Sequence, residues 1–231
     1  MDDRMKDMMK STVHAVGTEM AGHGGERPTR GTVDVTAVEQ IIAGWSDIPQ
    51  KAARRTVEKY GPPNEATPSR LIWFETGPWK RTIVYRDEVP HNFPKPHTDV
   101  LEQFVDYRVP PEKFSELAAY DGSVVPERTK GEISARCDME EMNFLALNLA
   151  HDIVTGQRTA EDARREYAEQ ATAFMLKRPA PYTEGLRFDV ARGGTADLDT
   201  PKMGPMVKEA LSGSQHAGTT DLGAVPPPSG F

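Results

Sequence analysis

The chain has 231 residues with a formal net charge of -7, 37% hydrophobic and 27% charged residues, 19 Gly, 19 Pro and a single Cys. An acidic chain without a dense Lys/Arg cluster argues against nucleic acid as a partner, because phosphate binding needs a concentrated cationic surface. One cysteine excludes an internal disulfide, and the absence of a run of about 18 apolar residues predicts no membrane-spanning segment.

Composition predicts three parts. Residues 1–33 are Gly-rich and balance five basic against five acidic side chains, and residues 189–231 hold seven Gly and five Pro without an apolar period. Both read as extended tails around a domain at 34–188, since such segments bury too little apolar surface to offset their ordering entropy. The opening MDDRMKDMMK leads into no continuous apolar stretch, so no secretory signal is expected and the cytoplasm is the default location. Met5, Met8, Met9, Val13, Val16 and Met20 nevertheless fall on one side of a helical wheel, which predicts an amphipathic, Met-rich helix suited to an irregular partner surface.

Within the domain, Thr36 and Glu39 form a capping box ahead of Val38, Ile41, Ile42 and Trp45 at helical spacing. A second helix starts at Asp47 and ends at Gly61-Pro62-Pro63. Leu71 to Phe74 and Thr82 to Tyr85 flank a turn at Thr76 to Trp79 and read as a hairpin, which puts Trp79 at its tip as a candidate recognition anchor. The segment Val100 to Val109 alternates as a half-buried strand, and Pro110-Pro111 opens a short helix. Val124-Val125 and Ile133 to Ala135 form a further hairpin across Lys130-Gly131. Asp138 with Glu141 caps the most strongly apolar helix, through Met142, Leu145, Leu149 and Ile153, and Thr159 opens the last one. Helices and strands do not alternate strictly, so the predicted fold is α+β, an antiparallel sheet of about five strands packed by helices.

The densest polar cluster is Pro90-His91-Asn92-Phe93-Pro94-Lys95-Pro96-His97-Thr98-Asp99, a proline-stiffened loop presenting two imidazoles and a carboxylate. Those donors suit zinc or non-haem iron. Cys137 reads as a small apolar residue at the end of a buried strand, Asp138, Glu140 and Glu141 as dipole-complementing acids, and Gly193-Gly194 fails the context of a phosphate loop.

The leading functional expectation is a non-catalytic accessory or scaffold subunit that binds protein subunits of a larger assembly, with no cofactor. An extrinsic place on a respiratory or photosynthetic membrane complex, peripheral and without a spanning segment, fits that expectation. Its partner-binding residues are Met5, Met8, Met9, Val13, Trp79, Met203, Met206, Val207, Leu211 and Phe231. The alternatives are a metal-dependent enzyme or metal sensor built on His91, His97 and Asp99, and a stand-alone small-molecule binding domain.

Overall fold

A computed structural model describes residues 3–21 and 25–204. Met206, Val207, Leu211 and Phe231 lie outside the described residues, and Met203 is exposed. The elements in chain order are α1 (Asp3–Met20), α2 (Val35–Ile42), α3 (Asp47–Tyr60), β1 (Glu65–Thr67), β2 (Arg70–Thr76), β3 (Trp79–His91), β4 (His97–Asp106), α4 (Phe114–Tyr120), β5 (Val124–Glu127), β6 (Glu132–Cys137), α5 (Glu140–Val154) and α6 (Ala160–Met175). The strands form one antiparallel sheet in the order β1-β2-β3-β4-β6-β5, so the α+β expectation holds with six strands rather than about five. Among the described residues, no helix is long and apolar enough to cross a membrane.

Strand register explains how this sequence builds a one-sided core. Leu71, Val84, Leu101 and Cys137 are successive cross-strand partners, and so are Trp73, Thr82, Gln103, Ala135 and Val124. Because side chains alternate along a strand, these two rows share a face, and every member is buried. Helices α2 and α3 close one end of that face around Val38, Ile42, Trp45, Ala52 and Ala53. The apolar length of α5 closes the other around Leu145, Leu149 and Ile153.

Core residues therefore fall into two clusters, and a partly buried carboxylate stands between them. Glu140 accepts hydrogen bonds from Tyr60 (2.6 Å), Gln103 (3.0 Å), Lys59 and the indole of Trp79. Burial works against its charge, but these donors outweigh burial and hold the carboxyl below its usual range. Trp79 is only 1% exposed and stacks on Phe144 at 4.8 Å. The expectation of an exposed anchor is thereby corrected, because the hairpin twist tucks the indole against α5, where Glu140 takes its N–H.

The opposite sheet face carries charge. Glu132, 3% exposed, pairs with Arg81 (2.9 Å) and Lys80 (3.0 Å), and Arg81 also meets Glu26, which lashes the segment before α2 to the sheet. At the other end, Arg108 donates to the carbonyls of Gly194, Thr195 and Ala196, and Ala191 bridges Asp106. Gly131 has φ 66°, and a Cβ there would lie 2.0 Å from the Thr195 carbonyl oxygen, so only glycine fits beneath that segment. Ordered packing thus continues past residue 188, to about 197.

Local starts differ from the sequence reading where a stronger acceptor is at hand. Asp34, not Thr36, caps α2 through the N–H groups of Thr36 and Ala37, whereas α5 begins at Glu140 without a side-chain cap. Thr159 caps α6 as expected. Leu145 is completely buried between α5 and the sheet. Leu145→Ala is expected to lower unfolding stability by about 2–5 kcal/mol, read from urea midpoints, and a loss under about 0.5 kcal/mol would contradict the packing described.

Candidate metal centre

The proline-bounded segment is not a free loop. β3 runs on to His91 and β4 begins at His97, leaving only Asn92 to Pro96 as the turn. Its hinge is an irregularity in the β3–β4 ladder: the register shifts between Val84 and Val89, where Tyr85 to Glu88 oppose a single residue, Val100. Such bulges re-aim side chains beyond them. Past this one, His91 and His97 are direct cross-strand partners, with ring centroids 5.0 Å apart. The turn is pinned by Phe93, which packs on Tyr167 at 5.1 Å beneath the Arg164 guanidinium.

Asp99 belongs to the inward row of β4, two residues before Leu101, and is 1% exposed. His97 Nε2 lies 3.2 Å from its Oδ1 and His91 Nδ1 lies 3.4 Å from its Oδ2. One donor atom from each of the three residues falls within 4.8 Å of the others. For metal–donor distances near 2.0–2.2 Å, tetrahedral neighbours stand about 3.3–3.6 Å apart. The 3.4 Å contact of His91 with Asp99 Oδ2 falls in that range, and the 3.2 Å contact of His97 with Oδ1 lies just below it.

Each imidazole is also oriented from behind. His97 Nδ1–H donates to the Lys95 carbonyl at 2.8 Å, which turns Nε2 inward toward Asp99. His91 turns Nδ1 inward and faces Asp121 Oδ1 with Nε2, at 3.6 Å. An oxygen behind each ligating ring is the usual outer shell of a metal site. Asp121 is supplied by the turn between α4 and β5, where its carboxylate accepts the Ser123 N–H at 2.8 Å; burial raises its pKa. Ser123 in turn donates its hydroxyl to Asp99 and lies 3.2 Å from His91 Nδ1. The Asp99 carboxylate facing it raises the pKa of His97.

Cys137 ends β6 and is buried, as the sequence predicts. Its Sγ stands 3.4 Å from His97 Nε2, at the border of the cluster, and burial raises the thiol pKa well above its ordinary value. A desolvated thiol of this kind is a poor nucleophile. Asp99 Oδ1 and Arg136 Nε are buried without a hydrogen-bond partner, and Arg136 Nε is 4.0 Å from Asp99 Oδ2.

Other sequence candidates resolve into structure. Glu140 is the acceptor between the two core clusters described above. His151 meets the Tyr107 hydroxyl at 2.8 Å and stacks on Phe188, and Asp152 binds Arg158 and Tyr182. Asp121 and Ser123, by contrast, join the cluster without any sequence signal of their own. The chain matches no protein-family model, no curated protein and no solved structure.

Proposed function

We propose that the chain is a metal-dependent enzyme whose centre is the His91, His97 and Asp99 set. What carries the reading is the convergence of three donor atoms from two adjacent strands. Two imidazoles and one carboxylate give three protein ligands and leave further positions on a divalent ion open, the pattern of catalytic zinc and of non-haem iron rather than of closed structural sites. A divalent ion there would act as a Lewis acid on an oxygen of a bound molecule. The residues around it have separable roles: Asp121 and the Lys95 carbonyl set ring orientation, and Ser123 fixes the carboxylate.

The reading is tested by equilibrium dialysis against zinc or iron(II) followed by elemental analysis. About one ion per chain is expected, lost in His97→Ala. Asp121→Asn should bind roughly 10–100-fold more weakly with the fold intact, the range typical of outer-shell residues. Substoichiometric metal that His97→Ala leaves unchanged would overturn it.

A second reading rests on a different observation. No residue of α1 is buried, and Met5, Met8, Met9, Val13, Val16 and Met20 are all exposed on it. Exposed apolar stripes on a helix suit a partner groove. On this reading the chain is also an accessory subunit held on a larger assembly, of which an extrinsic site on a respiratory or photosynthetic membrane complex is one form. Deleting residues 3–20 is expected to leave the thermal midpoint within a few degrees while reducing retention in native complexes; unchanged retention would contradict the role of α1.

A further inference from the structure

An apolar cavity of about 340 Å³ opens between the β3–β4 turn, the start of α5 and the end of α6. Its walls include Met139, Met142, Tyr167, Ala171 and Phe174, and it reaches His97 and Cys137 at the border of the donor cluster. We propose that this cavity is the substrate pocket of the centre and takes a small acyl or aryl compound, its apolar tail among the methionines and its oxygen-bearing head directed to the metal beside His97. The proposal rests on the metal reading above and adds to it the class of substrate.

Three observations support this occupant. The volume lies at the low end of the range for small-molecule pockets, ~300–1,000 Å³, which fits a compound of modest size rather than a polymer. Thioether side chains adapt to irregular apolar shapes, so two methionines in one wall favour a tail over a rigid polar group. At the polar end, Asp99 is 1% exposed and its Oδ1, which accepts no hydrogen bond, faces His97 Nε2 at 3.2 Å, a pair of donors that a cation would bridge.

A neighbouring cavity of about 530 Å³ makes the contrast. Arg55, Glu58, Lys59, Glu140 and Glu141 line it, and His97 is not among its walls. Both cavities touch Asp138, Met139 and Phe174, so they flank the start of α5 from two sides. Of the two, the apolar one reaches His97. Lys95 stands at its mouth, where a cation tolerates a carboxyl or carbonyl head passing inward.

The test uses the full chain loaded with cobalt(II), whose visible spectrum reports a change of ligand, titrated with n-alkyl hydroxamates from acetyl to octanoyl. Affinity is expected to rise about three- to fourfold per added methylene until the cavity is full. Ala171→Trp, which fills the buried wall, should flatten that dependence while leaving cobalt stoichiometry unchanged. Ala168→Trp provides the same obstruction from an exposed helix position, so a folding defect in the first variant does not obscure the result. Cobalt binding with affinity independent of chain length would overturn the pocket and leave the metal reading standing. No cobalt binding would overturn both.

Discussion

A buried carboxylate at Asp99 is the constraint around which this structure is arranged. Asp99 sits in the same inward row as Leu101 and Val105, 1% exposed. An isolated ionised carboxylate in such a place costs several kcal/mol or more unless charge and hydrogen bonds compensate. The chain supplies compensation from four separate elements: His91 at the end of β3, His97 at the start of β4, Ser123 before β5 and Arg136 on β6. They still leave Oδ1 without a hydrogen bond. On the proposed reading, a divalent cation would satisfy the carboxylate and both inward imidazole nitrogens at once.

The rest of the fold keeps those four contributors in place. The one-sided sheet gives β4 a buried centre between β3 and β6, and the bulge at Tyr85 to Glu88 turns the far end of the hairpin toward the α4–β5 turn. Glu140 performs a related task at the next position along the sheet, joining α3, β3, β4 and α5 through Tyr60, Trp79, Gln103 and Lys59. Loss of such a hub leaves buried donors unpaired, which costs more than the bonds themselves contribute.

Helical periodicity made most of the helices readable from sequence, since Met142, Leu145 and Leu149 repeat on one face whatever they pack against. The donor set was also legible in part: prolines at 90, 94 and 96 lie so close to His91 and His97 that the two histidines fall together at one chain reversal, which they flank as the ends of β3 and β4. The sheet was harder. Thr82 and Gln103 point inward and Phe74, Tyr85 and Phe104 outward, so the period-2 pattern blurs in the rows that matter. A polar residue can occupy an inward position only because another residue, distant in sequence, receives its hydrogen bonds. Asp121 and Ser123 were not legible for the same reason: their role comes from β5 pairing at the sheet edge, which brings them to Asp99 across more than 20 residues. Trp79 was misread at the hairpin tip because its burial depends on Glu140, 61 residues away.

The most direct measurement of the donor set is X-ray absorption on the zinc-loaded chain. Two imidazoles and a carboxylate require a first shell of nitrogen and oxygen near 2.0–2.1 Å, with outer-shell scattering from two histidine rings that falls to one in His97→Ala. A shell dominated by sulfur near 2.3 Å, or one of oxygen alone without imidazole scattering, would contradict the centre described here.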